Sequence, residues 1–467
     1  MKALWKAALE KWRKNSNKQT AGGEKMRISK YCIYEIVLFH LFCLAYALSY
    51  PHCNEWKTTF FLSVFAALLL ILEYLRTRIF ASPLLFWYVF WLGTIILGRM
   101  HLSIRVYPLF RDWSVKLQTI VLLNTIVFFW LYWLGELSGL IRRDKQKQSE
   151  DSRNEMLADL VLALLFIAII AFCINVIHTG VVPQLTGNAN AYRSSFVATR
   201  YYQVVSVLRF VLACVPLALK QTSSKTKRRG LIILTALYML AEMLTGWRGY
   251  TLQGMILLLT SALLVSGTGK KARVRNALML CSAGLVAFIF IIYITVTRDG
   301  SFEALEVRAE YAIDTFYLYV APNFLNFQSC IEKVQPKGYL MYTLESLWGI
   351  VLPAWENPLY IWDDVEYSIG AYNVCTYLLE PYCDLGIPGT VLWSSLIALF
   401  SGWSFARSRT ESDVFAYVSL GIVNITVFML HNNFFLRSSS FLIWMALSFL
   451  ISRFSKVRIK VNGEKII

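Results

Sequence analysis

Apolar runs of roughly twenty residues recur along the chain, parted by short basic or polar connectors. A run of that length crosses about 30 Å of hydrocarbon as a helix. In lipid a helix satisfies every backbone N–H and C=O within itself, so such runs are committed to helix. We read twelve spans, at about 31–49, 57–75, 82–98, 117–136, 157–177, 203–219, 231–246, 250–267, 277–296, 386–403, 415–430 and 435–452. The fold class expected is all-α, a polytopic membrane protein with about twelve transmembrane helices. Composition agrees: 57% of the 467 residues are hydrophobic and 16% charged, too little charge to clothe a soluble protein of this length.

Lysine and arginine orient the spans. With the N-terminus in the cytoplasm, about two thirds of the 46 basic residues fall in cytoplasmic segments. The connectors at 141–156, 220–230 and 268–276 are densely basic, whereas the one near 99–116 runs against the bias with Arg99, Arg105, Arg111 and Lys116 outside. The net charge of +17 follows from this placement and implies no nucleic-acid partner. The expected organisation is a basic amphipathic segment at 1–30, nine spans over 31–296, a large outer loop at 297–385, three spans over 386–452 and a basic tail at 453–467. Both termini are expected to be cytoplasmic, and no small-residue cleavage site follows the first span. In segment 1–30, Trp5, Leu9 and Trp12 share one helical face, as in a helix lying on the membrane surface. In the outer loop, Phe302, Leu305, Ala309, Ile313, Phe316 and Val320 form a helical stripe, with Glu303, Glu306, Glu310 and Asp314 on another side.

Candidate chemistry gathers at the outer ends. Arg193 and Arg200 lie in AYRSSFVATRYY, Arg248 in the turn TGWRGY, Arg298 in TRDG after the ninth span, and Arg437 near the twelfth. A guanidinium offers a rigid fork that matches phosphate oxygens bidentately, so several arginines on one face suit a diphosphate. The plainer reading has each arginine snorkel to lipid headgroups or pair with an acid such as Glu242. Gly246 and Gly249 let the backbone turn tightly and a ligand come close. In NVCTYLLEPYCDLGIPG at 373–389, Glu380 and Asp384 precede the tenth span, where Asp384 either caps the helix or takes part in catalysis. His431, in MLHNNFF, is a candidate base, and structural use is its plainer reading.

Asp363, Asp364 and Glu366 form an acidic cluster read as solvated charge, so no metal site and no cofactor are expected. The nine cysteines form no CxxC pair. Cys330, Cys375 and Cys383 share the outer loop, where pairing competes with three separate thiols. A GxxxxGK[ST] loop, a serine nucleophile elbow and HExxH are all absent.

The spans, the late outer loop, TGWRGY and the 373–389 stretch together resemble the bacterial O-antigen and capsule repeat-unit polymerases. The stretch is similar to that family's Asn-x-x-Thr…Asp-Phe-Gly-x-x-Gly signature through Asn373, Thr376, Asp384, Gly386 and Gly389, with Leu385 in place of the aromatic. The resemblance implies a fold like that of the C-type membrane glycosyltransferases, working at the outer face of the cytoplasmic membrane. It implies polymerisation of undecaprenyl-diphosphate-linked oligosaccharides, with membrane lipids around it and a flippase and a chain-length regulator as candidate partners. On it, Arg193, Arg248, Arg298, Gly249 and Glu380 would bind substrate, and Asp384 or His431 would take the acceptor proton. An O-antigen ligase and a flippase for lipid-linked oligosaccharide are the competing readings.

Overall fold

The computed structural model describes residues 23–50, 56–99, 112–141, 155–186, 188–267, 269–297, 317, 320, 322–337, 340–344, 375–410, 414–428 and 440–457. Among them the ordered elements are helices. In chain order these are α1 (Gly23–Leu48), α2 (Trp56–Thr77), α3 (Pro83–Trp87) and α4 (Gly93–Arg99), the last two joined by a π-helical turn at Tyr88–Leu92, then α5 (Val115–Ile141). Next come α6 (Glu155–Thr179), α7 (Ala189–Val197), α8 (Arg200–Leu208), α9 (Val211–Gln221), α10 (Lys225–Leu244), α11 (Arg248–Val265) and α12 (Lys270–Thr297). The remainder are α13 (Asn323–Lys333), α14 (Leu379–Leu385), α15 (Ile387–Thr410), α16 (Val414–Phe428) and α17 (Ser440–Val457).

Each expected span contains a described helix, and the sixth is broken at Arg209–Phe210. Among the described residues, six helices can cross a membrane by length and composition, or seven if α8 and α9, bent by 45°, make one span. Pro83–Arg99, Val414–Phe428 and Ser440–Arg453 are apolar but shorter. The chain is therefore a multi-pass membrane protein. The surface segment at 1–22 and the acidic cluster Asp363, Asp364 and Glu366 lie outside the described residues, as does nearly all of the 302–320 stripe.

The chain divides into two compact units. The first comprises residues 1–146, 315–410 and 426–439; the second comprises 147–314, 411–425 and 440–467. In the first, α5 and α15 pack along a seam of small residues. A Cβ on Gly402 would lie 2.0 Å from the Tyr132 carbonyl oxygen, and one on Gly135 2.2 Å from that of Leu399. Gly139 meets the Ala406 methyl in the same seam. Small residues four apart on both helices let the backbones touch, which dispersion rewards in a medium that offers no hydrophobic drive.

Polar side chains in this unit gather at two levels. Arg76 on α2 meets Glu73 at 2.7 Å, Glu136 of α5 at 2.9 Å and Glu35 of α1 at 3.2 Å, all four buried. Ser82 donates to Glu73, Tyr88 donates to Glu35 at 2.9 Å, and Arg409 approaches Glu136 at 3.5 Å. At the opposite helix ends, buried Arg99 donates to Ser49 Oγ at 2.8 Å and to Gln118 Oε1 at 3.0 Å. Its guanidinium carbon lies 4.6 Å from the Tyr46 ring centroid. Arg99, expected in an outer connector, is instead the last residue of a helix, and neutral acceptors and π faces hold its charge.

Candidate functional site

In the second unit the site is built around the turn between α10 and α11. Thr245 hydroxyl donates to the Glu242 carbonyl at 2.7 Å and so closes α10. Gly246 follows at φ +73°, a left-handed value that a side chain resists. Its Cα also faces the Ala189 methyl and Gln184 Oε1, at 3.1 and 3.2 Å from where a Cβ would sit. Trp247 then opens α11, and no side chain caps that helix. The amides of its first turn, at Arg248, Gly249 and Tyr250, have no intrahelical acceptor. A Cβ on Gly249 would meet nothing within 4 Å, so space lies open beside these donors.

Two stacked rings lie between two arginines inward from the turn. Arg193 of α7 stands 4.8 Å from the Trp247 ring, whose indole N–H donates to the Arg193 carbonyl at 3.4 Å. Trp247 stacks on Tyr250 at 5.5 Å, and Tyr250 lies 4.4 Å from the guanidinium of Arg209. Buried Arg209 pairs with buried Glu242 at 2.9 Å and donates to Gln253 at 3.0 Å. Both oxygens of Glu242 are taken, by Arg209 together with the hydroxyls of Tyr202 (2.9 Å) and Tyr238 (3.0 Å). The acid nearest the turn thus serves Arg209, while Arg193 and Arg248 stand half-buried at the rim.

The loop before this turn is pinned as well. Thr199 donates to Asn175 of α6 and accepts from the Tyr202 amide at 3.1 Å, capping α8. Arg200 turns outward, exposed, beside the Tyr201 ring.

In the first unit, α14 carries Glu380 and Asp384, both buried. Asp384 accepts hydrogen bonds from the amides of Tyr342 (3.2 Å) and Thr343 (2.7 Å) and from the Thr343 hydroxyl. Its carboxylate therefore ties down the 342–343 backbone, whereas a cap on α15 was the plainer expectation. Gly386 turns the corner at φ +66°, and a Cβ on Gly389 would lie 2.1 Å from the Pro381 carbonyl oxygen. The Asp-x-Gly-x-x-Gly spacing is thus the geometry of a tight corner between α14 and α15. Lys116 donates to the Tyr382 hydroxyl at 3.1 Å, and Asn124 links Thr390 to Ser394, whose hydroxyl meets that of Tyr377 at 2.6 Å.

The structure thus places Arg193, Arg248 and Gly249 at one turn of the second unit, and Glu380 and Asp384 on one helix of the first. Arg298, His431, Arg437 and Asn373 lie outside the described residues. Among the described residues no group of three or more His, Cys, Asp and Glu side chains is placed to hold a metal ion. Sequence reasoning assigned no role to Trp247, Tyr250 or Arg209. Tyr238 and Glu242, one helical turn apart, were the readable hint of a buried partner.

A family model described as O-antigen polysaccharide polymerase Wzy matches residues 31–345. The match takes in Arg193, Arg248 and Arg298 and ends before Glu380, Asp384 and His431. No curated protein and no solved structure matches the chain.

Proposed function

The chain belongs to the O-antigen polysaccharide polymerase Wzy family, and from that premise we propose that it joins undecaprenyl-diphosphate-linked oligosaccharide repeats into surface polysaccharide at the outer face of the cytoplasmic membrane. The observation that carries substrate binding is the uncapped N-terminus of α11, which bears Arg248 and stands beside the Arg193–Trp247 pair. The positive end of a helix, its first-turn amides and a guanidinium fork are what a diphosphate needs. Gly249 leaves room for it, and Arg298 is proposed as a further ligand.

In the reaction an acceptor sugar hydroxyl attacks the anomeric carbon of the donor chain. The bond from that carbon to the diphosphate oxygen breaks, and the diphosphate departs with the electron pair. Charge develops on the leaving group, so donors already in place at α11 lower the barrier. The acceptor proton passes to a base. The sequence left this role between Asp384 and His431; the hydrogen bonds of Asp384 to Tyr342 and Thr343 favour positioning for it, with His431 as the base. Glu380, on the same helix as Asp384, is proposed to contact the acceptor sugar.

A flippase would need a polar path through its spans. Here Glu35, Glu73 and Glu136 close on Arg76, and Glu242 closes on Arg209. Deletion of the gene tests the assignment. The deleted strain is expected to make single repeat units, with long chains restored by the wild-type gene and not by Arg248→Ala. Long chains in the deleted strain would overturn it, and long chains left on the lipid carrier would mark a ligase.

A further inference from the structure

Cys330 on α13 and Cys383 on α14 carry thiols 3.5 Å apart, and both are buried. The contact does not depend on the two side chains alone. The Lys337 amide donates to the Cys383 carbonyl at 3.0 Å, and the rings of Phe327 and Tyr382 meet edge to face at 5.7 Å. These contacts hold the two helices in a register that brings the sulfurs together. Cys375, the third thiol of the region, faces the Asn323 carbonyl oxygen at 3.7 Å.

We propose that Cys330 and Cys383 are joined as a disulfide in the mature protein and that Cys375 remains a thiol. This rests on the outer-face placement of 297–385 proposed above, since disulfides persist in oxidising compartments. The chemistry is exchange with a disulfide-bearing thiol oxidant. One cysteine, as thiolate, attacks the oxidant's disulfide to give a mixed disulfide, and the second displaces it. The S–S bond forms, two electrons reduce the oxidant to its dithiol, and the two thiol protons are released and taken up there. In the finished fold the hydrogen bond to Cys330, and then burial, push the Cys383 thiol well above its ordinary range. Attack therefore belongs to the stage before α13 and α14 close on each other, and closure afterwards shields the bond from reductant. The cross-link would clamp the corner that holds Asp384 to a helix some fifty positions earlier in the chain.

The test uses full-length protein extracted without reductant, denatured in N-ethylmaleimide, digested and examined by mass spectrometry. The expected result is one cross-linked species joining the Cys330 and Cys383 peptides, with Cys375 alkylated. Alkylation of both Cys330 and Cys383, or a bond from either to Cys375, overturns the proposal. In parallel, Lys337→Cys in spheroplasts is exposed to a membrane-impermeant maleimide. Free Cys330 and Cys383 with residue 337 labelled would sink the cross-link and leave the outer placement standing. The same thiols with residue 337 protected would remove the outer placement itself. Reduction of the cross-linked protein should also lower its melting midpoint by about 5 °C or more.

Discussion

At the residue scale, the arginines divide by what neutralises them. Arg76 and Arg209 are buried against carboxylates, and Arg99 is buried against a serine, a glutamine and aromatic faces. Arg193 and Arg248 are half-buried, with Arg193 against the Trp247 ring, and are the pair proposed to meet the diphosphate. Arg248→Ala is expected to reduce polymerisation at least tenfold, from the loss of charge-assisted hydrogen bonds worth about 1.5–3 kcal/mol each. Arg248→Lys should also impair it, because the ammonium keeps the charge and loses the fork. Chain-length ladders at matched protein level measure both, and a normal ladder in Arg248→Ala cells would exclude this arginine. Arg209→Ala acts differently. It leaves Glu242 buried without its cation, a loss of about 3–5 kcal/mol, so the protein should melt early in detergent before any effect on chemistry is seen. For the base, a histidine such as His431 is expected to lose activity as pH falls through roughly 6–7. An activity profile flat down to pH 5 would exclude His431.

At the element scale, the α5–α15 seam is the tightest packing described. Gly402→Leu would drive a side chain into the Tyr132 carbonyl 2.0 Å from its first carbon. The expected cost is about 1–3 kcal/mol or more, read as a lower melting midpoint and a fall in membrane-extracted protein. A melting curve like that of wild type would show that the seam yields. The helices themselves were legible in the sequence, because apolar length alone commits a segment to helix in lipid. The corner at Asp384 was half legible: the glycines announced a turn, but the partner of the carboxylate lies 41 positions away at Thr343. No periodicity connects such positions. The same holds for Arg76 with Glu136, 60 positions apart. Trp247 and Tyr250 escaped notice for a related reason: aromatics are common in this chain, and only the fold shows which ones lie against a guanidinium. The number of spans was less legible than their positions, since helices such as Val414–Phe428 are shorter than the hydrocarbon is thick.

At the scale of the whole molecule, the proposed polymerase should need no divalent cation. Purified protein supplied with lipid-linked repeats is expected to keep elongating in excess chelator. Activity lost to chelation and restored by Mg²⁺ or Mn²⁺ would return Asp363, Asp364 and Glu366 to the site. The buried group around Arg76 also bears on how the chain enters the bilayer. α1 is made first and carries Glu35, while the arginine that neutralises it is still to come on α2. An unpaired acid costs about 2.5–3.5 kcal/mol at mid-bilayer on insertion scales and less near a helix end. α1 released alone is therefore a reluctant stop, and α2 brings the arginine that pairs with Glu35 together with a second acid, Glu73. Glu136 arrives later with α5 and finds Arg76 already seated. Insertion of these helices is thus expected to be cooperative, with α1 settling once Arg76 of α2 is there to meet Glu35.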